Sequence, residues 1–330
     1  MANNVIFMDG AERGNTDLWS VNNGVNAYGS PPSGFTGNYY FAQSSWSTYM
    51  QKDFGQNYAE LWFHFLFRFT SVGVWVVIGW TDGAGTRIGY LKINASGYLT
   101  FYRGATLVAT GTKVFNINTV YRLECYYKPH GSLGIIRVKI DSIPIYDIDY
   151  SGNTTGGNAE IRRLHMGSDG GNNSVPFDDM IVDSINWTGP KRIAAALVPT
   201  GVGYQASQWT PSTGANWDCV NEIPPSDADY NWTNAVGQYD WFTLSNIAGN
   251  IASIFAVQAS GRIQREGVPV PAGAAFSLRT YLTNYVGNTK FGGASFIGED
   301  QIWMQNPKTN LAWTETEINN LEIGYYAAGS

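Results

Sequence analysis

Charged residues, cysteines, histidines and long apolar runs are all scarce in this chain of 330 residues. Charged side chains make up 14% of it, with 20 basic against 26 acidic and a net charge of −6. No basic run is present to neutralise a phosphate backbone, so a general nucleic-acid binder is excluded. No apolar run reaches the roughly 20 residues of a membrane-spanning helix, and no membrane partner is expected. The N-terminal stretch MANNVIFMDGAERG has neither the basic nor the apolar region of a secretory signal. Synthesis in a cytoplasm without export is therefore expected. Two cysteines, Cys125 and Cys219, do not make a disulfide framework. Cys125 alternates with Tyr121, Leu123 and Tyr127, which predicts a small buried hydrophobe.

The chemistry that would betray an enzyme is missing too. His64, His130 and His165 each lack a second ligand at metal-site spacing, so no metal is expected. A calcium site is conceivable at Asp169 to Asn173 or at Asp227-Ala228-Asp229, but an ordinary polar loop is the favoured reading of both. P-loop, dinucleotide and Gly-x-Ser-x-Gly patterns are absent, and no cofactor is expected. Asp178-Asp179 with Asp183 is the nearest approach to paired carboxylates. Strict alternation would place Asp179 and Asp183 on one strand face and Asp178 on the other, which favours structural hydrogen bonding.

Aromatics, at 15%, and 38 glycines dominate what is present. Ala59 to Thr70, AELWFHFLFRFT, alternates with a period of two. Leu61, Phe63, Phe65, Phe67 and Phe69 share one face, which demands burial against a second layer. About a dozen such segments lie between Val5 and Trp187, among them Val74–Asp82, Thr86–Asn94, Gly97–Arg103, Val120–Lys128, Leu133–Asp141 and Glu160–Gly167. Ile143 to Tyr150 reads as a strand made irregular by Pro144, and Gly10 to Phe35 as loop. Gly189-Pro190-Lys191-Arg192 marks a boundary. Beyond it, strands are predicted at Ile193–Val198, Ile251–Ala259, Ala274–Tyr285, Glu299–Gln305 and Glu322–Ala327. Thr314-Glu315-Thr316-Glu317 is a capping box, with Trp313 and Ile318 as a staple, and opens one helix to about Leu321. The expectation is an all-β protein: two tandem antiparallel β-sandwiches of jelly-roll type, residues 1–189 and 190–330, with one short C-terminal helix.

The strand order and lengths of residues 1 to 189, closing on Phe177-Asp178-Asp179-Met180-Ile181-Val182-Asp183, resemble the concanavalin A-like lectin/glucanase jelly roll in its laminin-G-like form. The glucanase pattern Glu-x-Asp-x-x-Glu does not occur. Residues PTGVGYQASQWTPSTGANWDCVNEIPPSDADYNW together with NLAWTETEINNLEIGYYA resemble C-terminal β modules of tailed-bacteriophage virion proteins. That likeness implies a non-enzymatic structural component of a virion: a capsid decoration, a head or neck fibre, or a tail-associated protein. Other capsid or tail proteins would be its partners, in a symmetric homo-oligomer. The lectin-like resemblance implies the alternative, a receptor-recognition protein or glycan-active enzyme that meets a host surface glycan. Candidate contacts for a partner or ligand are Trp62 and His64, on the second face of the central strand, and Trp217, Tyr230 and Trp232 in the aromatic-rich segment.

Overall fold

A computed structural model of the chain describes residues 4–329 except 36, 44–47, 71–74, 168–174, 194–195, 206, 248–250 and 267–270. It divides into two compact units, Met1–Ala194 and Ala195–Ser330. Both are almost entirely β, as the alternating sequence demands.

The first unit begins with β1 (Val5–Asp9), β2 (Val21–Asn23), β3 (Val25–Gly29), β4 (Tyr39–Gln43) and β5 (Tyr49–Tyr58). The central strands follow: β6 (Leu61–Phe67), β7 (Trp75–Thr81), β8 (Arg87–Ile93), β9 (Tyr98–Arg103) and β10 (Thr106–Val114). It ends with β11 (Tyr121–Lys128), β12 (Gly134–Ile140), β13 (Ile148–Gly152), β14 (Ile161–Gly167) and β15 (Phe177–Asp183). These form two antiparallel sheets. The first has the order β13-β12-β11-β6-β15-β4-β3 with β1 added on β15, and the second β10-β9-β8-β7-β14-β5-β2.

The phenylalanine face of β6 is the centre of the core. Phe63, Phe65 and Phe67 are 1% exposed or less, and their cross-strand partners on β11 are Cys125, Leu123 and Tyr121. From the opposite sheet, Trp80 stacks on Tyr127 with ring centroids 4.2 Å apart and meets Phe63 at 5.5 Å. Gly89 sits where a Cβ would come within 2.6 Å of the Tyr127 hydroxyl, so only glycine lets the sheets close here. Cys125 is buried and carries a free thiol, as its alternation predicts, and Cys219 is buried and free as well.

Several predicted details change. Val21–Asn23 and Val25–Gly29 are strands within the stretch read as loop, and Thr106–Val114 is a nine-residue strand the sequence does not announce. Ile143 to Asp147 is not strand, and pairing starts only at Ile148. A bulge in β15 breaks the expected alternation: Asp178 pairs with Leu66, Ile181 with His64 and Asp183 with Trp62. Asp178 and Asp183 therefore share the outward face, not Asp179 and Asp183. Asp179, at φ 52°, spends its carboxylate on the Ile193 amide at 2.9 Å, while Asp178 accepts from the Asp179 amide at 2.8 Å. The acidic pair is structural.

The second unit contains β16 (Pro199–Val202), β17 (Thr210–Pro211), a 3₁₀ turn (Asn216–Val220), β18 (Asn231–Trp232), β19 (Tyr239–Leu244) and β20 (Val257–Ile263). After these come β21 (Gly273–Thr280), β22 (Thr283–Lys290), β23 (Ile297–Trp303), α1 (Glu315–Asn319) and β24 (Glu322–Ala328). Its main sheet runs β16-β19-β24-β21-β22, beside the separate hairpins β20-β23 and β17-β18. Ala274 to Tyr285 is not one strand but a hairpin, turning at Tyr281 and Leu282 with both φ positive, at 48° and 61°. The capping box forms as read: the Glu317 amide donates to Thr314 Oγ1 at 3.2 Å and the Thr314 amide to Glu317 Oε2 at 2.8 Å. Ile193 to Val198 is not a strand in its described residues; pairing begins at Pro199.

Candidate functional site

The outward faces of the first unit's two sheets differ sharply. Behind β6, the outward residues His64, Leu66, Glu124 and Ile181 are all 3% exposed or less. The segment after β15 accounts for much of this. Ile193 packs where a Cβ on Gly10 would lie 2.8 Å from its own Cβ, and His64 Nε2 donates to the Lys191 carbonyl at 3.0 Å. Lys139 Nζ lies 4.4 Å from the Trp187 ring, which also faces Tyr146. Burial pushes the His64 imidazole down to about 3, assisted by the charges of Arg122 and Lys191 and opposed by its bond to the Lys191 carbonyl. His64 is thus a neutral, enclosed side chain and cannot touch a partner directly. Trp62 beside it is half-buried and stacked on Tyr126 at 4.7 Å.

The second sheet presents a row instead. Register places Tyr102 opposite Tyr90, Tyr90 opposite Gly79, Gly79 opposite His165 and His165 opposite Gln51. Since Trp80, Leu91 and Leu164 on the same strands are fully buried between the sheets, this row faces outward. Tyr90 and Tyr102 are half-exposed and stacked, with centroids 5.1 Å apart and planes within 2°. Gly79 leaves a slot. It is a narrow one: a Cβ there would lie 3.4 Å from Tyr90 Cβ and 3.7 Å from His165 Cβ, and the glycine at its floor is itself buried.

Polar groups line the slot. Gln51 Nε2 lies 3.4 Å from His165 Nδ1, and Tyr49 stacks on the imidazole at 4.7 Å. Arg87 lies 5.6 Å from the Tyr90 centroid and Lys92 5.0 Å from that of Tyr102, both within cation–π range. Burial holds His165 down to about 3, with the nearby Arg87 charge acting the same way and a backbone bond to Gly167 opposing. The imidazole is neutral at any ordinary pH. Below the slot, Asp53 is clamped by Arg162 Nε at 2.5 Å and Arg163 Nε at 3.0 Å. Despite its partial burial, the two arginines and a bond from the Gly55 amide keep its carboxyl below the usual range.

The three candidate contacts in the second unit gather near the β17-β18 hairpin. Trp217 is half-buried in the 3₁₀ turn, Tyr230 is 40% exposed beside Phe296 at 5.8 Å, and Trp232 is 48% exposed on β18. Around them Asn216 donates to the Trp209 carbonyl at 2.8 Å and to Asp240, whose carboxyl is pushed up to about 6 by burial. Asp227 is engaged by Arg262 through two contacts of 2.7 and 2.9 Å, so its carboxylate serves an ion pair. The alternative calcium position, Asp169 to Asn173, lies outside the described residues. Among the described residues no three His, Cys, Asp or Glu side chains are placed to hold a metal ion. A cavity of ≈ 350 Å³ in this unit is lined by Arg279 to Leu282, Thr316, Glu317, Asn320 and Glu322. Its polar groups already serve one another: Tyr281 donates to Glu317, and Arg279 to the Leu282 carbonyl and Asn284.

The row on the second sheet escaped the sequence reading. Each strand supplies one of its members, over residues 51 to 165, so no local cluster is visible. The usable signal was the polar alternation Tyr49/Gln51, Tyr90/Lys92 and Tyr98/Thr100/Tyr102.

No family model and no curated protein matches the chain. Solved structures do resemble it. Cellulose induced protein Cip1 is 13% identical, covering 58% of this chain and all of that one, with a TM-score of 0.41. Alginate lyase Aly36B is 15% identical over 49% of this chain and 87% of its own, at 0.34. The carbohydrate-binding module CBM66 from Bacillus subtilis is 14% identical over 49% and 97%, at 0.32. The chain is all-β, with antiparallel sheets packed as a sandwich in its first unit.

Proposed function

We propose that the first unit is a glycan-binding module and that a saccharide seats on the outward face of its second sheet. The carrying observation is the row Tyr102, Tyr90, Gly79, His165 and Gln51, running unbroken across five neighbouring strands. Tyrosine rings offer apolar surface to sugar C–H groups, while the Gln51 amide and the Arg87 and Lys92 cations offer hydrogen bonds to hydroxyls; the enclosed His165 positions Gln51 and Tyr49. Placement on paired strands fixes these groups before any ligand arrives, which spares the ordering entropy of binding.

Binding, not catalysis, is the reading that fits. A glycosidase needs two carboxyl groups flanking the bond to be cut. Among the described residues of this face the carboxylate at the slot is Asp53, and both its oxygens are committed to arginines. His165 is only 1% exposed. The virion expectation rests on the likeness of residues 195–328 and is compatible with this reading, as a glycan-touching phage component would join the two. The second unit would then carry assembly. In support, all the net charge of −6 falls in it, because residues 1–194 hold 15 basic and 15 acidic side chains. Tyr204, Tyr281, Leu282, Phe291 and Leu311 there are each more than half exposed.

A glycan array probed with the full chain tests the proposal. Binding that Tyr90→Ala or Tyr102→Ala weakens at least tenfold, with Trp232→Ala unchanged, is expected. Silence across a broad panel, or loss on Trp232→Ala alone, would sink it.

A further inference from the structure

The proposed saccharide site carries a charge pattern that selects among glycans. Around the slot, β8 contributes Arg87 and Lys92, and β14 contributes Arg162 and Arg163. The carboxylate facing them is Asp53, which accepts from Arg162, Arg163 and the Gly55 amide. The unit as a whole is charge-balanced, with 15 basic and 15 acidic residues, so this surplus is local. Two of the cations are placed on the row itself: Arg87 against Tyr90 and Lys92 against Tyr102. A cation beside a tyrosine ring can bond an anionic substituent of a sugar that lies against the edge of that same tyrosine. A neutral sugar would leave the charge solvated at the rim and gain nothing from it.

We propose that the ligand is an acidic glycan, one whose repeating sugars carry carboxylate or sulfate groups, held by Lys92 and Arg87 while its rings lie against the outward edges of the stacked Tyr90 and Tyr102. This rests on the glycan-binding reading above and narrows it. The arrangement requires no movement of the sheet, since the cations already stand at the ring faces. Charge-assisted hydrogen bonds are the stronger class, at about 1.5–3 kcal/mol each, so losing one costs roughly tenfold or more in affinity. The attraction is also screened by salt, because the site is open to solvent.

The test uses the full chain in calorimetric titrations against four polymers: a polyuronate, the same polyuronate after carboxyl reduction, a sulfated galactan and a neutral glucan. Preference for the polyuronate or the sulfated galactan over both neutral polymers is expected. It should weaken as salt rises from 50 to 300 mM, and fall about tenfold in Lys92→Gln at low salt. The two acidic polymers separate a carboxylate site from a sulfate site, and either supports the proposal. Lys92 is half-exposed, and a circular dichroism spectrum matching the wild type would show that its variant is folded. Equal binding of the neutral polymers, or a Lys92→Gln variant that keeps full affinity, overturns the acidic assignment and leaves glycan binding standing. No binding to any of the four, together with a silent array, overturns the glycan reading itself.

Discussion

The two buried imidazoles should make the first unit acid-sensitive by an amount that can be worked out. His64 and His165 are each 1% exposed, and each is held down to about 3 by burial. In the unfolded chain both return to about 6.5. As pH falls below 6.5 the unfolded state takes up two protons that the folded state refuses, so stability is lost. At about 1.4 kcal/mol per pH unit per group, lowering the pH from 6.5 to 4.5 removes roughly 5 kcal/mol. Asp9 opposes this. Its carboxyl is pushed up to about 7, chiefly by burial, while Ala11 N and Trp19 Nε1 donate to it at 3.1 and 3.0 Å. Its contribution is present below 3.8 and lost as pH rises to about 7, worth about 3 kcal/mol over the same window in the opposite sense. Against Asp9 the two histidines win by about 2–3 kcal/mol; Glu12, whose carboxyl burial also raises, acts in the same sense as Asp9.

Urea titration followed by tryptophan fluorescence, repeated from pH 4.5 to 6.5, measures this. The decisive comparison is with the double variant His64→Gln/His165→Gln, because contributions from the second unit, Asp9 and Glu12 cancel in the difference. The variant is less stable throughout from altered packing, but its deficit should shrink by about 5 kcal/mol on going from pH 6.5 to 4.5. Parallel pH profiles for the two proteins would refute the argument, and with it the burial assigned to both rings.

Three further outcomes follow from the same physics. Phe65→Ala empties a fully buried site facing the second sheet and should cost about 3–5 kcal/mol in the same urea assay. Gly79→Val places a β-branched side chain at ordinary van der Waals distance from Tyr90 and His165, so the protein should fold with wild-type circular dichroism while glycan binding falls at least tenfold. Thr314→Ala removes the side-chain acceptor for the Glu317 amide and should lower the second unit's stability by about 1 kcal/mol, visible as a lower urea midpoint with binding unaffected.

What the sequence disclosed, and what it concealed, divides along physical lines. β6 was legible because every second residue is large and apolar and the intervening ones are not. The capping box was legible because its signal is local, spanning four residues. β10 was hidden because it is an edge strand: of its nine residues only Gly111 is fully buried, so no hydrophobic alternation marks it. The β21-β22 turn was hidden because Tyr281 and Leu282 adopt positive φ without the Asn or Gly that such turns favour. The bulge in β15 inverted the faces of Asp178 and Asp179 through one inserted residue, which no pattern in the sequence specifies. His64 looked available because its cover, Lys191, lies 127 residues away along the chain. The candidate glycan row was invisible for the same reason on a larger scale, since only the strand order brings Gln51 beside His165 and His165 beside Gly79.

The segment from Trp187 to Ile193 has a practical consequence for anyone who isolates the first unit. A chain ended at Pro190 lacks the carbonyl that His64 bonds, the amide that satisfies Asp179 and the side chain that covers Gly10. Those few residues work as a latch across the back of the first sheet. Protease nicking at Lys191 or Arg192 would open the latch, wetting the rear of β6 and freeing His64 to take up a proton near neutral pH. The tyrosine face on the other sheet would still be covalently whole, so a nicked preparation would lose overall stability together with the His64 share of its acid sensitivity.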